Sequence, residues 1–440
     1  MKTASLAILF LYLLKEGFEY FVRYLNFRRL KRPGTAPPPE FKGHVDEDLL
    51  GKMVRYEAEK ARFGFFSGAA GNAVTIVFIW GGVLNVYNSW IAGLGLSFAV
   101  SGWLFFLLLF YAGQVMDAPF GIYQTFRIEK RHGFNTMTAG LWVSDFLKSV
   151  LISSVVISVL AFAGFGLIRW SPARWWFWVW GFLFAFSVFM MYISPYVIEP
   201  LFNKFSPVED AALREKISRM AEKAGIKVSR VLTVDASKRS RHTNAYFTGV
   251  GRTKRIVLYD TLLKGVDHAG DVDHAGGMDH AGGMDHDEIL SVLAHEIGHW
   301  KKRHLQKTMA VFEAASFAGL WLAARLVRGG LLTSAFGISV PTLFAKFVLL
   351  GLIAGIISLP LKAAANYLSR AHEREADAWA FRLAGGRAMA DVLVKLTKEN
   401  LSNPDPHPLF AAIYYSHPPA AERIRNIEAM NQVKRMRLPG

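Results

Sequence analysis

The residues best suited to chemistry stand together in the sequence His295-Glu296-Ile297-Gly298-His299. The two histidines are four residues apart, so a helix would place both on one face, one turn apart. Two imidazole nitrogens in that position can bind one Zn²⁺, at about 2.0–2.1 Å each. Glu296 could then accept a proton from a metal-bound water and pass it to a leaving amine. The motif predicts a hydrolytic zinc site.

The neighbouring residues favour a helix with a buried face. A surface helix with two solvated histidines is the alternative, but residues 289–294 are mostly apolar. Asp285 and Glu288 have the spacing of a capping box, which predicts that the helix begins there. Because this helix also lies between strongly apolar blocks of sequence, we favour the metal site.

An enzymatic zinc site needs a third protein ligand. His304 is five residues after His299, about 140° around one continuous helix, and should not reach the metal. Glu373 and Asp377 are one turn apart, so Glu373 could bind zinc while Asp377 holds a histidine ring. Glu375 should face elsewhere. On spacing alone, a charged and solvated helix start is an equal alternative for this segment.

Seven blocks of the sequence are apolar enough to cross a bilayer, which takes about 20 residues. Hydrophobic residues make up 52% of the 440-residue chain, and they are concentrated in these blocks. The first block is the weakest, because it contains Lys15, Glu16 and Glu19. The blocks lie near residues 4–24, 69–90, 95–116, 146–168, 175–196, 309–328 and 341–362. We therefore predict a mostly α-helical membrane protein with seven transmembrane helices.

The charge pattern predicts how the chain is oriented in the membrane. The formal net charge is +16, and Lys and Arg cluster in alternate connections between the apolar blocks. We attribute this excess to cytosolic loops and not to nucleic-acid binding. The alternation places the N-terminus outside or in the lumen, and the polar stretches 197–308 and 363–440 in the cytosol. The absence of cysteine excludes disulfides, thiolate ligands and a cysteine protease.

These features divide the chain into four parts. Residues 1–196 should hold five transmembrane helices, and residues 309–362 should hold two more. Residues 197–308 should form a cytosolic catalytic portion with the zinc helix and a small β-sheet, and residues 363–440 a C-terminal catalytic portion with the third ligand. Within the first of these portions, the pattern of residues 209–225 predicts an amphipathic helix.

Strand patterns and a repeat follow that helix. Residues 228–235 are typical of a strand, and residues 244–250 and 255–259 of a hairpin that turns at Gly251. A six-residue repeat rich in Gly and Asp occupies residues 266–289. We favour a repeat expansion in a flexible loop over an accessory metal-binding tract, because glycine-rich spacing does not preorganise ligands. The histidines of the repeat are His268, His274, His280 and His286.

Several stretches together resemble peptidase family M48, in the branch of the CAAX prenyl protease 1 (Ste24-type) enzymes. The resemblance runs through nearly the whole chain. It departs from the family at the repeat, where the family has a shorter connector. The matching stretches are EKRHGFN (129–135), EPLFNKF (199–205), NAYF (244–247), LAHEIGHW (293–300), SRAHEREAD (369–377) and SHPPAAER (416–423).

The resemblance implies roles for particular residues. Glu373 becomes the third ligand of one zinc ion, beside His295 and His299, and Glu296 is catalytic. His417 would help to stabilise the oxyanion of the tetrahedral intermediate, although sequence alone favours a histidine that merely flanks a helix before two prolines. Asp377 and Arg423 would support the ligands. An edge strand would bind the substrate backbone by strand addition; its residues are Asn244, Ala245, Tyr246 and Phe247.

The resemblance also implies a chamber walled by the seven helices, and removal of the C-terminal tripeptide from prenylated CAAX proteins. The membrane would be that of the endoplasmic reticulum in a eukaryote, or the inner membrane in a prokaryote. We expect a monomer whose partners are the bilayer and a peptide or prenylated protein, with no nucleic acid. The alternatives are a membrane quality-control protease of the HtpX type and, from another class, a zinc-binding transporter or scaffold.

Overall fold

In a computed structural model of the protein, the described residues are 3–32, 34, 36–226, 228, 230–248, 255–264 and 284–436. Within them the chain is mostly helical, in agreement with the apolar periodicity. The α-helices are α1 (Thr3–Leu30), α2 (Glu47–Trp80), α3 (Val83–Gly93), α4 (Phe98–Tyr123), α5 (Ala139–Trp170), α6 (Trp175–Ile193), α7 (Glu199–Phe202), α8 (Ala211–Lys223), α9 (Asp260–Lys264), α10 (His286–Lys301), α11 (His304–Arg328), α12 (Leu331–Ala335), α13 (Leu343–Ala384), α14 (Gly386–Glu399), α15 (Pro408–Tyr414) and α16 (Ala420–Met436). Two π-helical turns, Gln124–Glu129 and Ser194–Ile198, extend α4 and α6.

Six helices of the described residues are long and apolar enough to cross a membrane. They are α2, α4, α5, α6, α11 and α13, with the π-helical turns included. The helix α1, which carries the three charged residues noted above, is not among them. A membrane protein is therefore confirmed by length and composition, while the count of seven spans and the chamber stay predictions.

The predicted second block, 69–90, is wrong as a single helix. The helix α2 begins much earlier than expected, and it ends just before two glycines. Gly82 has φ +84°, a left-handed conformation that L side chains rarely adopt. A Cβ on Gly81 would lie 2.4 Å from the carbonyl oxygen of Val77. The glycine pair thus stops α2, and the chain continues in a new direction as α3.

Four strands form a small mixed sheet in the first polar portion. They are β1 (Phe205–Pro207), β2 (Arg230–Val234), β3 (Ala245–Thr248) and β4 (Arg255–Tyr259), in the order β1-β2-β4-β3. The pair β2–β4 is parallel and the other two pairs are antiparallel. The three predicted strands are confirmed, and β3 lies at the edge of the sheet. The predicted turn at Gly251 and the repeat up to residue 283 lie outside the described residues.

One hydrophobic core joins the two polar portions of the chain. The amphipathic helix predicted for residues 209–225 is confirmed as α8, which buries the expected face of Leu213, Ile217, Met220 and Ala221. Side chains of α10, α14, α16 and β4 pack into the same core. The start of α2 also contributes, through Leu50 and Met53. The two polar portions are therefore a single packed unit that also includes the start of α2.

The connections that carry little or no charge lie together at the end of the helices away from the polar portions. Asn88 of α3 donates a hydrogen bond to the carbonyl oxygen of Val340, just before α13, at 2.7 Å. Arg328, at the end of α11, donates to the carbonyl oxygen of Ala173, between α5 and α6, at 2.8 Å. Because α13 runs from this end into the core of the polar portions, the strongly charged and the weakly charged connections occupy opposite ends of the bundle.

Candidate metal centre

The helix α10 carries the two histidines of the motif into the core. It begins with the predicted capping box, which is confirmed: the Asp285 side chain accepts from the Glu288 backbone, and the Glu288 side chain accepts from the Asp285 backbone. Leu293 and Ile297 are fully buried on its core side. This burial fixes the rotation of the helix and turns His295, which is only 6% exposed, toward α13.

A glycine allows α10 and α13 to approach closely. A Cβ on Gly298 would lie 3.0 Å from the Cα and the carbonyl oxygen of Ala376 on α13. It would also lie 3.1 Å from the Cβ of Trp379. Any larger residue at this position would push the helices apart. The close approach brings Glu373, one turn before Ala376 on α13, to the histidines of α10.

Three candidate ligand residues converge between these helices. His295 Nε2 and His299 Nε2 are 3.1 Å apart. Glu373 Oε1 is 3.1 Å from His299 Nε2, and Glu373 Oε2 is 3.2 Å from His295 Nε2. Ligands of a tetrahedral zinc ion with bonds of 2.0–2.1 Å would be about 3.4 Å apart. These three residues form the group that could hold a metal ion among the described residues.

The hydrogen bonds around this group agree with a bound cation. His295 Nδ1 is 2.8 Å from Asp377 Oδ1, so its single N–H is used there and Nε2 presents a lone pair. Glu373 Oε2 is buried and has no hydrogen-bond partner among the described residues. Buried electron-pair donors that face one another are costly unless a cation lies between them. The donor set, two imidazoles and a carboxylate, is one that zinc prefers.

Glu296 and Arg423 set the electrostatics beside the ligands. Burial raises the pKa of Glu296, and the positive charge of Arg423 opposes that increase. Arg423 donates to both carboxylate oxygens of Asp377, with its Nη2 and Nε at 2.7 and 2.9 Å. Asp377 in turn contacts His295. Glu296 therefore has a raised pKa, and the buried guanidinium of Arg423 is close enough to affect that pKa.

His417 approaches the ligand group from the open side. It lies between α15 and α16, and the two prolines after it keep the segment out of α16. Its Nε2 is 3.3 Å from Glu373 Oε1, while 61% of its side chain is exposed. Its Nδ1 is 3.0 Å from the hydroxyl of Ser416. A substrate entering from solvent would therefore meet this imidazole before it reached Glu373.

The edge strand β3 packs beside α10, and its edge away from β4 is not paired with another strand among the described residues. The backbone N–H of Tyr259 donates to the carbonyl oxygen of Asn244 at 3.1 Å, which fixes the register of β3 against β4. Hydrogen bonding alternates along an antiparallel pair, so the backbone groups of Ala245 and Phe247 point away from β4. The Ala245 N–H is bound by the Asn244 side chain at 2.8 Å. The hydroxyl of Tyr246 donates to Glu199 at 3.1 Å.

Sequence reasoning missed the position of His304. The argument from a continuous helix fails, because α10 ends at Lys301 and a new helix, α11, begins at His304. His304 lies outside the group of three ligands, as expected. It nevertheless contacts the site, since its Nδ1 is 3.0 Å from His299 Nδ1. No spacing rule could have found this contact, which depends on the turn between the two helices.

The fold and this site define a membrane metallopeptidase. Residues 207–431 match peptidase family M48, and residues 26–204 match the CAAX prenyl protease N-terminal region, described as five membrane helices. The CAAX prenyl protease 1 homolog of Homo sapiens is 31% identical over 433 residues, which cover 92% of this chain and 91% of that protein. The CAAX prenyl protease 1 of Saccharomyces cerevisiae is 30% identical, with 95% and 94% covered.

A solved structure agrees with these sequence matches. The crystal structure of S. mikatae Ste24p superimposes with a TM-score of 0.86 at 28% identity, covering 97% of this chain and all of that one. The chain belongs to peptidase family M48. The resemblance, the fold class of a mostly α-helical membrane protein with a small sheet, and the enzyme class of metallopeptidase, all predicted from sequence, are confirmed.

Proposed function

We propose that this protein is a zinc endopeptidase that removes the C-terminal tripeptide from prenylated CAAX-type substrates. The observation that carries the proposal is the convergence of His295, His299 and Glu373 at mutual distances of 3.1–3.2 Å. The choice of substrate rests on the relatives, which are named as CAAX prenyl proteases. We expect one zinc ion per chain.

The residues of the site divide the work of peptide hydrolysis. A zinc ion held by the three ligands would polarise the attacking water and the scissile carbonyl. Glu296 accepts the proton of that water and later donates it to the leaving amine nitrogen. Burial raises the pKa of Glu296, which brings the group nearer to the condition of an effective general base at neutral pH. His417 donates a hydrogen bond to the oxyanion of the tetrahedral intermediate.

The peptide is held by strand addition at β3. The free edge offers the backbone N–H and C=O groups that point away from β4, chiefly those of Phe247. Asn244, Ala245 and Tyr246 complete this binding strand, and Asn244 and Tyr246 are held by their own side-chain contacts. Because β3 lies against α10, a peptide paired with it would run past the zinc ligands.

The proposal includes a place in the cell and an oligomeric state. The N-terminus faces the outside or the lumen, and both catalytic portions face the cytosol, where prenylated proteins are found. The membrane is that of the endoplasmic reticulum in a eukaryote, or the inner membrane in a prokaryote. We expect the active unit to be a monomer with a complete set of metal ligands in one chain, and we expect it to bind no nucleic acid.

The deciding experiment uses a farnesylated CAAX peptide and the purified full-length protein in detergent. We expect cleavage that a chelator abolishes and added zinc restores. Glu296→Gln should lower the turnover number by about 10²–10⁴-fold, because the general base is lost, while the zinc content stays at one per chain. The control is Glu428→Gln, the same change at an exposed glutamate of α16, which should behave as the unaltered protein.

Two results would count against this account. Undiminished turnover in Glu296→Gln would remove the assigned base and with it the mechanism. Zinc-dependent cleavage of a misfolded membrane protein, with no cleavage of the farnesylated peptide, would keep the enzyme class but replace the substrate with that of a quality-control protease.

A further inference from the structure

We propose that His304 and Glu375 position the zinc ligand His299 through two hydrogen bonds in series. The inference rests on the zinc site proposed above and adds two residues to it. Neither residue belongs to the ligand group, and neither was assigned a role by the sequence. Each acts on the metal only through the orientation of the His299 ring.

The distances describe a continuous chain of contacts. His304 Nδ1 is 3.0 Å from His299 Nδ1, and His304 Nε2 is 3.4 Å from Glu375 Oε2. His304 is 4% exposed, so water does not compete freely for either nitrogen. Its ring is also stacked on His372, with centroids 4.1 Å apart and planes inclined by 9°. The ring is thus fixed in both position and tilt.

The arrangement of protons follows from the geometry. A neutral imidazole carries one N–H, and a metal ligand must present its lone pair at the nitrogen that faces the metal. His299 Nε2 faces the other ligands, so its proton is on Nδ1 and is donated to His304 Nδ1. His304 must then carry its own proton on Nε2, where Glu375 is the acceptor. Every donor in the series meets an acceptor, and no other tautomers satisfy both contacts.

The backbone between the two helices is shaped for this contact. Arg303 adopts φ +55° and ψ +38°, a left-handed conformation that is uncommon for a residue with a side chain. The turn ends α10 and starts α11, so that His304 folds back against the last turn of α10. A continuous helix would have carried His304 about 140° away from His299.

His304 is not itself a ligand in this geometry. The Nδ1 atom of His304 contacts Nδ1 of His299, which is the ring nitrogen of His299 that faces away from the metal position. Its Nε2 points to Glu375, which is on the half-exposed side of α13. The two zinc-binding histidines therefore have different supports: His295 is held by the carboxylate of Asp377, whereas His299 is held by a neutral ring.

The test measures zinc affinity by competition with a chelator, using the full-length protein in detergent. His304→Phe keeps a planar ring for the stack on His372 but removes the acceptor. We expect it to weaken zinc binding by about 10–100-fold. His304→Asn restores an acceptor oxygen near the position of Nδ1, and should recover most of that loss. His286→Phe, the same change at a histidine that contacts Asp210, is the control.

Cobalt substitution gives a second readout. The visible absorption of bound Co²⁺ reports ligand geometry, so it should change in His304→Phe and return toward the original in His304→Asn. Zinc affinity in His304→Phe equal to that of the unaltered protein would overturn the proposal. Equal losses of zinc affinity in His304→Phe and His304→Asn would also overturn the proposal, because the loss would then come from altered packing and not from the missing hydrogen-bond acceptor. Failure of the unaltered protein to bind zinc would instead refute the proposed function itself.

Discussion

At the scale of single residues, Arg423 links the support of the candidate ligand His295 to the ionisation of Glu296, the proposed general base. Its guanidinium binds Asp377 on two atoms and lies 3.3 Å from His295 Nδ1. Only 12% of its side chain is exposed, so solvent screens its charge weakly. That charge lowers the pKa of Glu296, against the larger effect of burial. A residue outside the candidate ligand group therefore influences the pH at which Glu296 is ionised.

Replacement of this arginine should change the pH profile. Glu296 must be ionised to accept a proton, so activity is lost as the pH falls through its pKa. Arg423→Gln removes a nearby positive charge, which raises that pKa further and moves the acid limb of kcat/KM to higher pH. The control is Arg425→Gln, two residues later on the exposed side of α16. An acid limb that stays in place or moves to lower pH would contradict this assignment.

Some residues of the site can be predicted from the sequence, and others cannot. His295 and His299 follow from a spacing within one helix, because helical geometry is local. Glu373 is 74 residues beyond His299, and spacing alone left it no better than a solvated helix start. Its place depends on how α10 packs against α13. The exclusion of His304 from the ligands agrees with the structure, but its contact with His299 was not predicted, because the left-handed turn at Arg303 has no sequence signature when glycine is absent.

At the scale of elements, the contact between α10 and α13 determines whether the site exists. One helix supplies two ligands and the other supplies the third. The distance between them is set at Gly298, where a Cβ would meet Ala376 at 3.0 Å. A shift of a few tenths of an ångström at this contact would change the distances between Glu373 and the two histidines.

Gly298→Ala should therefore weaken the metal site as well as the fold. We expect a loss of about 1–3 kcal/mol in stability, because the added methyl overpacks the contact. Zinc affinity should fall, since Glu373 is displaced from both histidines. Gly351→Ala, in a part of α13 with open space around the glycine, is the control and should retain both properties. Thermal unfolding and chelator competition measure the two effects. Unchanged zinc affinity in Gly298→Ala would show that the contact does not set the site.

A second contact between elements connects the edge strand to the membrane helices. His242, just before β3, has its Nε2 3.4 Å from Glu129 in the π-helical turn that ends α4. The Tyr56 hydroxyl donates to the same carboxylate at 2.9 Å, and the His242 ring stacks on Phe134. The start of β3 is therefore tied to two membrane spans. Sequence reasoning found the strand but not this attachment, which joins residues more than a hundred positions apart.

At the scale of the whole molecule, the weakly charged connections and the candidate metal site occupy opposite ends of the bundle. Hydropathy predicted a helix correctly at six of the seven blocks, because burial in lipid is an additive property of composition, although α13 continues to Ala384, well beyond the block at 341–362. It did not predict the break at Gly81 and Gly82, which is a local effect of the backbone. The orientation of the bundle in the membrane is a separate matter, and it rests on the loop charges.

The cysteine-free chain allows the orientation to be measured with single thiols. Ser97 lies before α4, at the end of the bundle with the weakly charged connections, and Ser402 lies after α14 in the packed unit of the polar portions. Both serines are exposed, and each would be changed to cysteine (Ser97→Cys and Ser402→Cys). A membrane-impermeant maleimide added to sealed vesicles with the cytosolic face outward should label Ser402→Cys and spare Ser97→Cys. Detergent should make both reactive, which controls for accessibility. The reverse labelling pattern would invert the proposed topology.

The helix α13, which contains Pro360, connects the membrane-spanning part of the chain to the candidate metal site. Its 42 residues correspond to about 63 Å, roughly twice the 30 Å hydrocarbon thickness of a bilayer. Its apolar first half has the length and composition of a membrane span, and its second half carries Glu373. A helix of this kind tilts when the lipid around it becomes thinner. We therefore expect lipid thickness to alter the position of Glu373 at the metal site. The same enzyme should then work at different speeds in membranes of different thickness.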